Sequence, residues 1–397
     1  MMKKVLTALS LVALTFSAAA QSGGTQAKAP EYKFTTVVEN PITSIKNQSR
    51  SGTCWCFSAL SFLESEAIRI NNIKDPAAYP DFSEMFVVSK SYKDRAIKYI
   101  RTDGNINFAA GSEFDDVLHV IEDYGLVPQS AMPGLQKLPQ HTEVDAVLKS
   151  YVDAMANVRV RPISNNWVKA FESIEESYFG VCPESFTVDG KDYTPATYRD
   201  AMKINPKDYV TISSFTHHPF YEKFVIEVSD NWRWDMAYNV PLDEMMQVLD
   251  NALEKGYTVC WGTDVSEKGF DRQGIGVLLP DEASTVGSDQ ERWVGKSDEN
   301  AAPADSSLPK ELVPDQEYRQ IGFDNKTTTD DHGMHIYGIA KDQNGTKYYM
   351  VKNSWGETGK YKGIWYCSEN FVKGKTLDIA VHKDALPKAI AKKLGIN

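Results

Sequence analysis

"NQSRSGTCWCFSALSFLESEAIR", residues 47–69, holds two of the chain's five cysteines, Cys54 and Cys56, on either side of Trp55. After Gly52 and Thr53 come Phe57, Leu60, Phe62, Leu63, Ala67 and Ile70, a spacing that predicts a mostly apolar helix with polar residues gathering toward its far end. Thr53 is the expected N-cap. A thiol in the first turn of such a helix faces backbone N–H groups and the positive end of the dipole, which favour thiolate. Cys54 occupies that turn. Cys56, about 200° further round the helix, looks into a different environment and reads as a small core hydrophobe.

The remaining cysteines, Cys182, Cys260 and Cys367, complete an odd and scattered set with no recurrent pairing pattern, so at least one thiol is unpaired within the monomer. A bridge between Cys54 and Cys56 is strained across one residue. Their spacing is also too short for a zinc knuckle, and no second pair follows. A thiol-redox role is weakened by the absence of a C-x-x-C pair.

Residues 1–20, "MMKKVLTALSLVALTFSAAA", run from two lysines through an apolar stretch to three alanines, the layout of a secretory signal peptide with cleavage after Ala20. The stretch is shorter than the roughly 20 apolar residues that span a bilayer. No later segment reads as membrane-spanning, so the expectation is a soluble protein exported to the periplasm or medium. Loss of Lys3 and Lys4 moves the formal charge from −11 to −13. A surface that acidic repels phosphate backbones, which argues against nucleic acid as a partner. With 42% hydrophobic residues, the chain can build a sizeable core.

A thiolate that attacks a peptide bond needs a base that later protonates the leaving amine, and histidine is the usual one. Of seven histidines, His332 and His335 stand out in "TTTDDHGMHIYGIA", where a polar run passes into an alternating strand. At strand spacing the two face opposite sides, so at most one faces the thiol. Gly333 and Gly338 argue against the helix on which the pair could hold a metal. Downstream, "KYYMVKNSWGETGKYKGIWYC" reads as strand, turn, strand. Asn353 in that turn can fix an imidazole tautomer and Trp355 can shield the bond from water; turn chemistry alone is the other reading of Asn353.

"Q-x-x-x-G-x-C-W" (Gln48 to Trp55), "DHGM…YG" (Asp331 to Gly338) and "KNSWG" (Lys352 to Gly356) resemble the cysteine, histidine and asparagine blocks of papain-like peptidases. Ser51 stands where papain carries an extra cysteine. With "FSEMF", "EDYGLVP", "FGVCPESFTVDGKDYTP", "TVCWGTDV" and "KGIWY" in order, the chain is more similar to the bleomycin hydrolase and aminopeptidase C branch, over residues 34 to 386. The resemblance implies a cysteine peptidase acting on peptides without a cofactor or metal. Cys54 is then the nucleophile, His332 the acid and base rather than His335, and Asn353 its orienting partner. Gln48 and the Cys54 backbone N–H form the oxyanion hole. Gly111 and Ser112 fall where the family has a substrate-binding Gly-Gly, the serine being a departure. The branch also implies homo-hexameric rings.

The fold expected from the resemblance is α+β, a papain-like pair of lobes: a helical lobe over about 40–125 and a β-barrel-like lobe over about 255–385, with a helical insertion over about 130–250 between them. Residues 280–315 are polar and suggest a surface loop. In the family a C-terminal arm enters the cleft and pairs its carboxylate with the substrate's α-amino group. Here "LPKAIAKKLG" reads as a short basic helix within the arm at 386–397. If it stops short of the cleft, an endopeptidase or oligopeptidase without strict exopeptidase restriction becomes the alternative to an aminopeptidase. A non-catalytic peptide-binding module is a further one, opposed by the complete set Gln48, Cys54, His332 and Asn353.

Overall fold

The computed structural model describes residues 31–134, 141–280 and 308–396, so the signal-like residues 1–20 and most of the polar stretch 280–315 lie outside the described residues. The fold is α+β. Strand β1 (Thr35–Glu39) precedes helices α1 (Cys54–Ile70), α2 (Glu84–Arg101), α3 (Phe114–Tyr124), α4 (Thr142–Ala156) and α5 (Asn166–Phe179). A hairpin, β2 (Phe186–Val188) and β3 (Lys191–Tyr193), leads through α6 (Pro195–Met202) to β4 (Tyr209–Ser213), β5 (Lys223–Val225) and β6 (Met236–Asn239). Then come α7 (Leu242–Glu254), β7 (Val259–Thr263), β8 (Ile275–Gly276), α8 (Gln316–Asp324) and β9 (His332–Lys341). The chain ends through β10 (Lys347–Lys352), β11 (Ile364–Ser368), α9 (Glu369–Lys375), β12 (Thr376–His382) and α10 (Lys388–Lys393).

The large sheet runs in the order β5-β6-β4-β12-β7-β9-β10-β11-β8, with β1 also paired to β9. Residues 130–250, expected to be helical, therefore contribute strands as well. The β-branched alternation of "YVTIS" places β4 antiparallel to β12, with Ile212 opposite Ile379. One apolar core joins the faces of α1 to α5 through Phe62, Phe86, Val120, Leu148 and Phe171. A second, built on Leu249, Trp261, Ile336 and Val351, packs α7 and the sheet.

The two cores meet where α1 lies on β7 and β9. Strand alternation turns Gly333 and His335 toward the helix. A Cβ at Gly333 would sit 2.7 Å from Ser58 Oγ and 3.3 Å from Trp55 Cα, so glycine permits this approach. His335 is buried against Phe62, its Nδ1 2.9 Å from Ser61 Oγ.

A buried charge cluster fixes the N-terminal segment to α1 and α2. Lys46 Nζ lies 3.3 Å from Glu64 Oε1, 2.6 Å from Asp81 Oδ1 and 2.5 Å from Glu84 Oε1. Glu64 is fully buried and also accepts from the Phe82 N–H at 2.9 Å and from Thr43. Burial pushes the Glu84 carboxyl up to about 6 despite Lys46 beside it. Glu64→Ala leaves the Phe82 amide without its acceptor and takes away one of the three carboxylates around Lys46, and the unfolding free energy is expected to fall by about 1–3 kcal/mol. Urea titration should show a lower midpoint at an unchanged slope; a loss below about 1 kcal/mol would mean the cluster behaves as an exposed pair.

Candidate active site

Cys54 is the first residue of α1, with its side chain at the edge of a cavity and Cys56 turned into the core. Thr53 holds the N-cap position without capping: its hydroxyl lies 2.6 Å from Ser51 Oγ, which in turn donates to the Gln48 carbonyl at 2.7 Å. The expected side-chain cap is thus replaced by a hydroxyl pair within the turn. No capping oxygen neutralises the positive end of the helix, and Cys54 stands in front of it.

His332 opens β9 and lines the same cavity of about 40 Å³ as Cys54. Its Nε2 lies 2.8 Å from Asn353 Oδ1, an oxygen that also accepts from the Ser354 N–H at 2.7 Å. That second donor identifies the atom as the carbonyl oxygen, so Nε2 carries the proton. Proton exchange with a thiol then falls to Nδ1. Trp355 stacks on the imidazole at 4.6 Å between ring centres, inclined by 27°. It packs behind the ring, in the place expected of a shield for the His332–Asn353 bond, and is not among the residues lining the cavity. His335 is fully buried on the α1 side, and burial followed by the neighbouring Lys352 charge hold it well below the ordinary imidazole range. It cannot serve as the proton carrier of this cavity.

Gln48 is buried and held at three points, two of them on its carboxamide. Oε1 accepts from Ser354 Oγ at 2.5 Å, Nε2 donates to the Ser51 carbonyl at 2.7 Å, and its backbone N–H bonds the Ser354 carbonyl at 2.8 Å. One N–H of the amide remains to donate beside the start of α1.

Gly111 and Ser112 form the facing wall. A Cβ at Gly111 would fall 1.7 Å from Asp230 Oδ2, so only glycine admits that carboxylate. Trp55 Nε1 donates to the Ala110 carbonyl at 3.0 Å, tying this wall to the nucleophile helix. Buried Arg95 donates to the carbonyls of Ala109 and Gly111 and, at 2.8 Å, to Ser112 Oγ. The Ser112 hydroxyl also accepts from Trp232 Nε1 at 2.9 Å and donates to Asp116 at 2.6 Å. Ser112 therefore lines the cavity while its side chain serves the wall's internal network. Arg95, Trp232 and Asp230 escaped the sequence reading because they come from α2 and from the 228–234 segment, with no local motif to mark them.

The cavity is strongly acidic. Glu113, Asp230, Asp330 and Asp378 line it beside Cys54 and His332. Burial raises the carboxyl groups of Glu113, Asp230 and Asp378, the last to about 6. For Glu113 the charges of Asp330 and Asp378 add to the effect. Among the described residues of the C-terminal segment, 386–396, none lines it. Ile390 and Leu394 are buried in the α7 core, and Lys393 Nζ lies 2.5 Å from Glu244 Oε1 and 3.1 Å from the Tyr221 hydroxyl.

A thiol at an uncapped helix start, and an imidazole oriented by a carboxamide in the same cavity, are the working parts of acyl transfer through a thioester. This is the arrangement of a cysteine peptidase. The sequence profile of the Peptidase C1-like family matches residues 4–177 and 284–396, well over half of the chain, and the chain belongs to that family. Aminopeptidase C of Lactococcus lactis subsp. lactis is 22% identical over 92% of this chain and 85% of its own length. Aminopeptidase G of Lactobacillus delbrueckii subsp. lactis is 22% identical over 94% and 89%. The crystal structure of PepW from Lactobacillus rhamnosis shares the fold, with a TM-score of 0.66 at 19% identity, covering 91% of this chain and 84% of that one.

The five thiols are all free of disulfides. Burial pushes up those of Cys56, Cys367 and Cys260, the last to about 12, and that of half-buried Cys182 as well. Brief treatment of the native protein with iodoacetamide at pH 7 is therefore expected to modify Cys54 first. Peptide mass mapping checks this, and rapid labelling of Cys56 with Cys54 unmodified would contradict it.

Proposed function

We propose that the chain is a cysteine aminopeptidase in which Cys54, His332, Asn353 and Gln48 carry the reaction. The Cys54 thiolate attacks the carbonyl carbon of the first peptide bond, and the oxyanion receives N–H groups from the Gln48 side chain and the Cys54 backbone, each worth about 3 kcal/mol in comparable sites. His332, protonated at Nδ1, gives that proton to the leaving amine as the C–N bond breaks and the thioester remains. It then takes a proton from water, whose oxygen cleaves the thioester, releasing the amino acid and restoring the thiolate–imidazolium pair. Asn353 holds the ring through Nε2, and Trp355 keeps water from that bond. Ser112 and Gly111 flank the peptide backbone.

The acidic cavity is the observation that carries the aminopeptidase reading. A substrate with one residue ahead of the scissile bond brings its α-ammonium group next to Cys54, where Glu113, Asp230, Asp330 and Asp378 converge. About 40 Å³ suits an ammonium group with a water or two, and is small for a whole side chain. With residues 385–394 held against α7, these carboxylates supply the counter-charge from within the cavity. The names of the relatives agree with this reading.

Export is proposed from residues 1–20 alone; no described helix is long and apolar enough to cross a membrane. N-terminal sequencing of the protein recovered from the expressing cell's periplasm or medium is expected to begin at Gln21.

An aminoacyl amide with a free amino group is expected to be cleaved with a higher kcat/KM than its N-acetylated counterpart, and Asp378→Asn to raise KM for the free-amino substrate about tenfold, the loss of one charged contact of about 1.4 kcal/mol. Asp378 is charged above about pH 6 and neutral below it. The substrate ammonium keeps its charge throughout, so attraction is present above pH 6 and lost as pH falls through it. The ratio of free-amino to acetylated kcat/KM should therefore decline across that window, while any change common to both substrates cancels. Equal rates for the two substrates, independent of pH, would sink the aminopeptidase reading and leave an endopeptidase.

A further inference from the structure

We propose that His217, His218 and Glu227 form a binding site for a divalent transition-metal ion of the zinc class, separate from the catalytic cavity. One ligand atom from each lies within 4.8 Å of the others. The two imidazoles converge on a single carboxylate: His217 Nε2 is 3.0 Å from Glu227 Oε2, and His218 Nε2 is 2.9 Å from Oε1. Bonds of 2.0–2.2 Å in a tetrahedron set ligand atoms about 3.3 Å apart, so the two carboxylate contacts open by a few tenths of an ångström and the wider separation, at most 4.8 Å, closes around the ion. Two nitrogens and a carboxylate suit zinc, cobalt, nickel or copper; calcium and magnesium prefer oxygen throughout.

The fold holds these side chains in advance. His217 and His218 follow β4, and their backbone is clamped by buried Asn239, whose Nδ2 donates to the carbonyls of Phe215 at 2.8 Å and His218 at 2.9 Å. The His217 ring stacks on Phe323 at 5.6 Å and meets Phe224 edge-on at 5.7 Å, while His218 packs on Phe224 at 4.9 Å. Glu227 lies two residues beyond the edge strand β5. The rings are about a quarter and a third exposed and Glu227 about half, so an ion can enter from solvent and keep water in its fourth position.

A metal at Nε2 requires the His217 proton on Nδ1, and the partner there accommodates it. Gln320 of α8 presents both Oε1, at 3.2 Å, and Nε2, at 3.0 Å, to that nitrogen. Its oxygen can accept from a protonated Nδ1 when metal is bound, and its N–H can donate to a bare Nδ1 when the Nε2 proton faces Glu227. Outer partners of this kind tune metal affinity tenfold to a hundredfold. A bound ion would clip the segment after β4 to the end of β5 and, through Gln320, to the helix that leads into Asp330 and His332.

The test uses the full-length Cys54→Ala protein, so that the catalytic thiol does not compete for metal. Titration calorimetry with zinc chloride is expected to give one ion per chain, with a raised Tm. Cobalt chloride should give visible bands without a thiolate-to-metal charge-transfer band. His218→Ala and Glu227→Gln should each weaken zinc binding at least tenfold, with far-ultraviolet circular dichroism and Tm in EDTA unchanged for each. Absence of zinc binding by the parent, or binding undiminished in both His218→Ala and Glu227→Gln, would overturn the proposal. Loss of the free-amino preference would leave it untouched, since the two sites are read by different measurements.

Discussion

The approach of α1 to β9 is the contact on which the rest depends. A helix N-terminus favours thiolate only for a group set in front of it, and an imidazole is useful only within reach of that group. Gly333 removes the side chain that would hold the two elements apart, since a Cβ there would press on Ser58 Oγ at 2.7 Å. The contacts of His335 with Ser61 and of Cys260 with Ser58 extend the same seam along the helix. His332, on the other side of the strand, is then delivered to the cavity while Asn353 and Trp355 arrive from β10 and the turn that follows it.

The opposite wall is held by polar bonds instead of apolar packing. Arg95, buried in α2, spends its donors on the carbonyls of Ala109 and Gly111 and on Ser112, and Trp232 and Asp116 complete the network. Arg233 joins Asp116 and Asp94 at 2.7 Å each. A half-satisfied network of this kind is costly in a low-dielectric interior, so its members set one another's positions. Ser112 is tied into this network by its hydroxyl, which links Arg95, Trp232 and Asp116. The network also couples the 228–234 segment to the cleft, since Asp230 occupies the space that a side chain at residue 111 would need.

Cys54, His332, Asn353 and Gln48 were legible because each sits in a short motif whose chemistry is local: a helix start, a strand start and a turn. The helix at 54–70 was legible from apolar periodicity. Strands β4 to β6 were not, because each is short: β4 pairs with β12 far along the chain, and β5 and β6 reach the sheet only through β4. Trp355 was legible as a neighbour of the imidazole from its place in the turn after Asn353, but that it stacks face to face on His332 is decided by the fold.

By itself the sequence determined the α+β class, the nucleophile helix and the identity of the thiol, imidazole and carboxamide, because covalent spacing and residue type decide these within a few residues. Tertiary structure alone decided which carboxylates gather around Cys54, which face of β9 meets the helix, and where the C-terminal helix lies. Glu113, Asp230, Asp330 and Asp378 are unremarkable acidic residues in four separate segments. Only the folded chain brings them to one cavity, where burial raises the proton affinity of Glu113, Asp230 and Asp378 and the charges of Asp330 and Asp378 add to it for Glu113.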